Sequence, residues 1–513
     1  MGDHRVIKDL IPMDEAGIGL CGWLQLCFAA LFCSDLTVHI VGVYHFGLRK
    51  NDGGDYMLLN ETLEAFRKGN LELWCPKMTI RKQESDKLIE YSGSGLIRQN
   101  QERRLEFVLI ECSLPSLPEN LKRMLGNTGE VGKLLQPDKY YSLEATELSG
   151  WIWKADRLLV SNNFGTAGSI ALGDIYVLEH MESSESQNTT IKLEIFSNAK
   201  LPLAEATKKT VSVGTDESVS WQRNMARFKV GQFDLTITNE HGVITVVATS
   251  ENESSPEYFE TRIIEALQYV ASRTLSWGIL QKTTNQNCIT CLRSQDAAFL
   301  PTQLSLPIDY NHADLEGKWV WLLLGKYLEH IYDFKGEDGF QMHPISAWLH
   351  YARNTSAGPI FTRGLGLGIT VEGILECEFS KTGTPSIEYA DALDEMVAHV
   401  NSFAGDENVR ARTLGALYAM RTIRAKDRLL SLQAAGIVRA DDVKAWDAIR
   451  NRGAHARPPE REERQEWIDN CFKTEVLLNH LIFHAIGYEG EFTDYGTRNW
   501  PQSRYTCSSA SLS

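Results

Sequence analysis

The sequence lacks an excess of positive charge, a disulfide-type cysteine pattern and the basic start that is typical of a signal peptide. Its 513 residues contain 52 Lys and Arg against 67 Asp and Glu, a net charge of −15. This balance excludes a general polyanion binder, so any nucleic-acid site has to be a local basic patch. The ten Cys are scattered, which is typical of a reducing compartment. The first fifteen residues are net acidic, the reverse of a signal peptide's basic start.

Long uncharged runs are also scarce. Residues 17–33 form one such run, which is at the short limit for a bilayer span and contains three glycines. We interpret it as a buried helix or strand, with a membrane element as the alternative. The Met-Gly start has Val6 where a myristoylation signal needs Ser or Thr. We therefore predict a cytoplasmic protein without a membrane anchor.

The sequence has a β-rich first half. Residues 1–255 contain several short runs of Thr, Val and Ile separated by turn residues. The clearest are two such runs at residues 233–248 around Asn239-Glu240-His241-Gly242, which predict a hairpin. This half is expected to act as a sensor or regulatory region.

The second half has helical periodicity, beginning with the helix-start signal Ser255-Pro256-Glu257. We predict a helical connecting region at 256–358, an all-α bundle at 359–490 and a frayed tail at 491–513. The fold class is therefore α+β and multidomain. The longer helices are expected at about 361–379, 387–403, 407–433, 440–454 and 460–486.

Positive charge is concentrated in this second half. Between Arg410 and Arg464 there are thirteen Lys and Arg against seven Asp and Glu, a local surplus of six in an acidic chain. Such an island is where a phosphate backbone would be held, although a solvated helix surface explains it equally well. Lys444, Arg452 and Arg457 are the candidate RNA-binding residues.

The string AWDAIRNRGAHARPPE at 445–460 carries the most information. Arg450, Asn451 and His455 form R-N-x-x-x-H at the end of an amphipathic helix, and Pro458-Pro459 ends the segment. In a chain with 13 His, an Arg followed five to seven positions later by a His is expected about twice by chance. The spacing alone is therefore uninformative, and the adjacent Asn, the helix end and the prolines add the specificity.

These residue types suit metal-independent RNA cleavage, in which the 2′-hydroxyl attacks the adjacent phosphorus. His455 can transfer a proton near neutral pH, and Arg450 can stabilise charge on the phosphoryl oxygens. Asn451 can orient the phosphate or the imidazole. In a straight helix Arg450 and His455 lie about 140° apart. Either the helix breaks at Gly453, or a second copy of the helix completes the site.

RNRGAH in an all-α setting resembles the R-x4–6-H motif of the HEPN superfamily. GLGLGITVEGILE at 364–376 is similar to the first core helix of that family, and VLLNHLIFHAIGYEG to its last. The layout, a β-rich region followed by a C-terminal helical domain, is similar to the ApeA family of anti-phage defence proteins.

The resemblance implies a HEPN endoribonuclease with a composite site at a homodimer interface and no cofactor. It also implies an abortive-infection response to a phage-derived trigger, often with tRNA anticodon loops as the RNA substrate. Arg450, Asn451 and His455 match the motif as catalytic residues, and the acid on the first helix of the family corresponds to Glu372 or Glu376. Two rivals remain open: a non-catalytic HEPN scaffold, and a ligand-binding β protein with a helical dimerisation domain.

Three weaker patterns have simpler interpretations. Cys288 and Cys291 form C-x2-C without a second pair, so they are only candidate zinc ligands and otherwise ordinary thiols. The glycines at 364, 366 and 368 predict close helix packing rather than a phosphate loop. His480 and His484 share one helix face and are expected to pack at a dimer seam.

Overall fold

The computed structural model describes residues 54–82, 90–111, 139–165, 168–184, 186, 188–213, 216–251, 255–295, 304–310, 317–336, 342–383, 387–454 and 460–507. The uncharged run at 17–33, His455 and Arg457 lie outside these residues. Within the described ranges, no helix has the length and apolar character that crossing a bilayer requires.

Fifteen described strands form one sheet in which every pair of neighbours is antiparallel. Their order is β10-β11-β12-β13-β9-β14-β15-β8-β5-β4-β1-β2-β3-β7-β6. The bounds are β1 Glu72–Lys82, β2 Glu90–Gln99, β3 Leu105–Glu111, β4 Tyr141–Thr146, β5 Ile152–Leu158, β6 Ser161–Gly165, β7 Gly168–Ile175, β8 Val177–Ser183, β9 Thr189–Phe196, β10 Glu205–Val213, β11 Asp216–Val230, β12 Phe233–Glu240, β13 Val243–Ser250, β14 Trp277–Thr283 and β15 Asn287–Arg293.

The hairpin predicted at 233–248 is present as β12 and β13. His241 and Gly242 form the two-residue turn, with φ of 51° and 81°. Two consecutive positive φ values match the twist of the flanking strands, which favours a tight hairpin. Along β13, half-buried and buried side chains alternate strictly. The sequence pattern therefore specified both the turn and the buried face.

Helices dominate the C-terminal part, so the predicted α+β fold with a β-rich N-terminal region is confirmed. After α1, which precedes the sheet, the remaining helices lie between residues 259 and 485. The bounds are α1 Gly54–Lys68, α2 Phe259–Val270, α3 Lys318–Ile331, α4 Pro344–Ser356, α5 Ile360–Glu378, α6 Ile387–Ser402, α7 Glu407–Met420, α8 Ala425–Ala434, α9 Ala440–Ala454 and α10 Arg464–Ala485.

One predicted helix, 407–433, is two helices in the structure. α7 ends at Met420 and α8 begins at Ala425. Asp427 causes the restart because its carboxylate accepts hydrogen bonds from the backbone N–H and the guanidinium of Arg424, the residue that caps α8. This contact gives the backbone N–H of Arg424 a hydrogen-bond partner at the start of a new helix.

The connecting region predicted to be helical at 256–358 also contains β14 and β15, which was not foreseen. This hairpin inserts into the sheet between β9 and β8. The first helix of the connecting region, α2, starts at Phe259, which is later than the Ser255-Pro256 signal predicts. The residue before it, Tyr258, has a left-handed backbone conformation. The hairpin forms because β14 pairs along most of β9, an interaction between distant segments that local periodicity does not record.

The tail predicted to be frayed is instead ordered as far as Cys507. Strands β16 Gly490–Thr493 and β17 Gln502–Tyr505 form a second small sheet. Phe492 and Tyr505 are buried in it, and Arg439 of the α8–α9 connection is ion-paired with Asp494. Apolar burial and this ion pair hold the segment against the helices.

One hydrophobic core joins the sheet to the helices. Leu193 and Leu235 of the sheet belong to the same buried cluster as Leu367 and Ile482 of α5 and α10. A separate cluster lies around α1 and strands β1–β5, and a small one lies between α6 and α7.

The glycines of α5 allow close helix packing, as predicted. A Cβ at position 366 would lie 1.9 Å from Oγ1 of Thr355, and one at Gly364 would lie 2.5 Å from Cζ2 of Trp467. Neither distance is possible for a real side chain. At Gly368 the nearest atom is Cβ of Arg450 at 3.6 Å, which brings α9 alongside α5.

Candidate functional site

Helix α9 places the motif at its C-terminal end. Its apolar face, Val443, Trp446 and Ile449, is buried as predicted. The Trp446 indole N–H donates to the carbonyl of Gly368 at 3.2 Å, which ties α9 to α5. The opposite side of the last turn therefore faces outward with the polar motif residues.

Arg450 is held by an acid from α5. Its Nε donates to Oε1 of Glu372 at 2.8 Å, and the two side chains are 46% and 36% exposed. The Nη groups of Arg450 have no hydrogen-bond partner among the described residues. Glu376 lies one turn further along α5 and pairs with Arg428 instead. Of the two candidate acids, Glu372 is thus the one beside the motif arginine.

Asn451 is held within its own helix. Its Nδ2 donates to Oδ1 of Asp447 at 3.1 Å, and Oδ2 of Asp447 accepts from Nζ of Lys426 at 2.9 Å. These bonds leave the Asn451 amide oxygen as an acceptor at an exposed position. The chain Lys426–Asp447–Asn451 therefore fixes which end of the amide points outward.

The candidate RNA-binding residues are themselves paired with acids. Arg452 forms a bidentate ion pair with Glu463, in which Nη1 and Nη2 donate to the two carboxylate oxygens at 2.5 and 2.7 Å. This contact lowers the pKa of Glu463 to about 2. Nζ of Lys444 lies 3.6 Å from Oδ1 of Asp441, and both side chains are highly exposed. Of the two predicted residues that the structure describes, Lys444 is the more available to a phosphate because its pair is open to solvent.

The same pairing extends over most of the basic island. Nine of its thirteen basic residues contact a carboxylate: Arg410, Arg421, Arg424, Lys426, Arg428, Arg439, Lys444, Arg450 and Arg452. Arg412, Arg461 and Arg464 have no ion pair within the described part of the chain. The positive surplus is therefore largely compensated locally, and a phosphate has to compete with carboxylates for most of these cations.

Helix α9 does not break at Gly453. It continues to Ala454, and a Cβ at Gly453 would lie 2.9 Å from Leu365 of α5. His455, the predicted proton-transfer residue, and Arg457 follow outside the described residues. The break that would turn Arg450 and His455 toward each other does not occur before residue 455.

Cys288 and Cys291 are not arranged as a metal pair. Both lie on β15, three positions apart in an unbroken ladder, so their side chains project from opposite faces of the sheet. Cys291 is buried, and burial raises the pKa of its thiol to about 12. The interpretation of these residues as ordinary thiols fits this geometry, whereas one shared zinc ion does not.

His480 and His484 do not form a surface seam. His480 is buried among Phe492, Tyr505 and Phe483, and burial lowers its pKa to about 3. The ring of His484 stacks on Phe379, with its Nδ1 3.3 Å from Sγ of Cys507. Both histidines pack within the chain because the C-terminal hairpin, which was not predicted, covers this face of α10.

Comparisons with known proteins do not assign the chain to a family. No protein-family model and no curated protein matches it. Among solved structures, it has a match to the inhibitor of motility MotI/DgrA of Bacillus subtilis, at 5% identity and a TM-score of 0.13. The match covers 34% of this chain and 87% of that protein. With so low a TM-score, it carries no argument about fold or function.

Proposed function

We propose that the protein is an endoribonuclease of the HEPN type that cleaves RNA without a metal ion. The observation that carries this proposal is the setting of Arg450. Its guanidinium is anchored through Nε by Glu372, and no described residue forms a hydrogen bond with its Nη groups. Asn451 stands beside it on the exposed end of α9, and His455 follows five positions after Arg450.

This setting suits a phosphoryl group. An anchored guanidinium offers its remaining N–H donors in a fixed fork, the geometry that binds two phosphoryl oxygens. Because Glu372 contacts Nε and is half-exposed, it fixes the direction of the fork without enclosing it. Arg450 would stabilise the developing negative charge, Asn451 would position the phosphate, and His455 would transfer the proton.

A homodimer is part of the proposal. Since α9 stays helical through Gly453, a second copy of the motif is the simpler way to bring an Arg450 and a His455 together. The hairpin of α6 and α7 supports this. Its own core is only Leu393, Val397 and Leu417, and it leaves large apolar side chains exposed. These side chains are Tyr389, Met396, Phe403, Val409, Tyr418 and Met420. Several large apolar side chains exposed on one small helical hairpin favour a protein interface.

The biological setting rests on the resemblance to the ApeA family. We propose a cytoplasmic anti-phage role in which the β-rich half receives a phage-derived trigger and restrains the nuclease, with RNA, tRNA among the candidates, as substrate. Sheet and helices share one core, so removal of residues 1–255 would expose part of that core. Restraint is therefore tested on the intact chain: cells should grow normally without phage and arrest when the trigger is present.

The experiment compares cells that express the wild type, His455→Ala or Arg450→Ala and are challenged with phage. Growth is followed together with RNA integrity on denaturing gels. Arg81→Ala on β1 is the matched control, because Nε of Arg81 donates to a carboxylate oxygen of Glu90 at 2.8 Å and the two side chains are 48% and 38% exposed, much as in the pair of Arg450 and Glu372.

We expect RNA cleavage and protection to be lost together in both motif variants and retained in Arg81→Ala. Protection that survives without any RNA cleavage in the wild type would reject the nuclease and favour the non-catalytic scaffold. RNA binding and cleavage that are both absent in the wild type would favour a ligand-binding β protein.

A further inference from the structure

Three ligating side chains meet at helix ends away from the motif. His330 lies in the last turn of α3, His343 caps the start of α4, and Glu378 is the last residue of α5. One nitrogen or carboxylate oxygen from each lies within 4.8 Å of the other two. Among the described residues, this is the one group of three or more His, Cys, Asp or Glu side chains whose ligand atoms lie close enough together to hold a metal ion.

The cluster is half-buried and its members already contact one another. Nε2 of His330 lies 3.2 Å from Oε2 of Glu378, and the rings of His330 and His343 are 5.6 Å apart between centroids. Phe334 packs edge-on against His343. His330 and Glu378 are 26% and 15% exposed, so the cluster has one apolar wall and remains open to solvent on another side.

We propose that His330, His343 and Glu378 form a Zn²⁺ site. Two imidazole nitrogens and one carboxylate oxygen are a three-ligand zinc set, which leaves a fourth tetrahedral position for water. Imidazole ligands favour zinc over Mg²⁺ or Ca²⁺, which prefer oxygen. Around a tetrahedral zinc ion the ligand atoms lie roughly 3.3 Å apart. The three ligand atoms, which lie within 4.8 Å of one another, therefore each need to move toward the centre of the cluster by about 1 Å.

The residues around the cluster position His343 and balance the nearby charge. Oε2 of Glu265 accepts a hydrogen bond from the backbone N–H of His343 at 3.3 Å. The guanidinium of Arg262 lies over Phe334, and its charge is compensated by an ion pair with Glu265. An outer set of contacts that orients a ligand is characteristic of metal sites.

A purely structural role is the competing explanation. Nδ1 of His343 accepts a hydrogen bond from the N–H of Ile345, and His330 and Glu378 can form an ion pair without a cation. The bond to Ile345 is 3.3 Å long, as is the bond from the His343 backbone to Glu265, so both contacts are at the long end of the hydrogen-bond range. A cation held by the three side chains would join the ends of three helices more firmly, which is a structural role independent of RNA cleavage.

The test measures Zn²⁺ binding to the full-length chain after chelator treatment, by competition with a chromophoric chelator and by metal content after dialysis. Glu378→Gln is the main variant, since glutamine keeps the volume and an oxygen that can contact His330. His330→Ala is the second variant. His399→Ala, at an exposed position on α6, is the control for adventitious histidine binding.

We expect the wild type and His399→Ala to bind one more Zn²⁺ per chain than either cluster variant. Affinity at this site should fall by at least about 100-fold, because even an outer-shell partner is worth about 10- to 100-fold. Zn²⁺ should also raise the melting temperature of the wild type but not of the variants. Equal Zn²⁺ stoichiometry and affinity in the wild type and Glu378→Gln would overturn the proposal.

The visible absorption of the Co²⁺-substituted wild type tests the site without any variant. Replacement of Zn²⁺ by Co²⁺ in the wild type should give the strong visible absorption of a tetrahedral site with nitrogen and oxygen ligands. Weak octahedral bands, or none, would overturn the proposal even if both variants failed to fold. RNA cleavage is not part of either readout, so failure here and failure of the nuclease proposal are separate results.

Discussion

Arg450 and Glu372 are 78 positions apart in the chain and are joined by a 2.8 Å hydrogen bond between Nε and Oε1. The bond links the outward faces of α9 and α5. On the buried side the same two helices are linked by the indole of Trp446 and the carbonyl of Gly368. The guanidinium is therefore attached to a rigid helix pair rather than to a flexible side chain alone.

Glu372→Gln should lower RNA cleavage because it weakens the anchor of Arg450. Misplacement of a catalytic group by about 1 Å costs up to about 100-fold in rate, so we expect a loss of about 10- to 100-fold in kcat/KM. Folding stability should change by less than about 1 kcal/mol, because the pair is half-exposed. Cleavage assays and urea unfolding provide the two measurements.

Glu376→Gln is the control for this prediction. Glu376 lies one helical turn from Glu372 but pairs with Arg428. Its replacement should leave the cleavage rate within about twofold of the wild type. If the two variants lost activity equally, the anchoring role of Glu372 would be wrong.

Gly373→Ala should destabilise the junction of α4 and α5. A Cβ at position 373 would lie 2.0 Å from Cε2 of Trp348, so the indole has to shift. Overpacking of this kind costs about 1–3 kcal/mol. Gly415→Ala on α7 is the matched control. Nothing lies within 4 Å of a Cβ there, and alanine should stabilise that helix by about 0.5–1 kcal/mol. Urea unfolding that shows the same sign for both variants would contradict this packing.

His480 should make the protein sensitive to mild acid. Burial lowers its pKa from 6.5 to about 3, so below pH 6.5 the unfolded chain binds a proton that the folded chain does not. Its contribution to stability is complete above pH 6.5 and is lost as the pH falls toward about 3, by up to about 1.4 kcal/mol per pH unit.

His480→Leu should remove this part of the acid dependence. The free energy of unfolding, measured in urea between pH 7 and pH 5, should then fall less steeply than in the wild type. His399→Leu, at an exposed position, should not change the slope. Identical slopes for the wild type and His480→Leu would show that His480 is accessible to protons in the folded state.

The sequence predicted the fold correctly where residues close together in the chain determine the structure. The His241-Gly242 turn and the alternation in β13 specified the hairpin, and the bounds predicted for α9 match the structure. Prediction failed where distant segments decide the outcome. β14 is a strand because it pairs with β9, and the C-terminal hairpin is ordered because Phe492 and Tyr505 are buried against the helices.

The candidate site shows the same division. The sequence placed Arg450 and Asn451 on the exposed end of an amphipathic helix, and the structure agrees. The choice between Glu372 and Glu376 could not be made, because residues four apart share a helix face. The cluster of His330, His343 and Glu378 gave no signal, since its members come from three helix ends that only the tertiary fold brings together.

The most direct measurement of the central claim uses the purified full-length protein and RNA in the presence of excess EDTA. Product ends are analysed, and the cut is repeated on an RNA with a 2′-deoxy residue at the mapped site. The account predicts cleavage that yields 2′,3′-cyclic phosphate ends, is abolished by His455→Ala and is blocked by the deoxy substitution. Full activity of His455→Ala, or cleavage of the deoxy-substituted RNA at the same site, would contradict it.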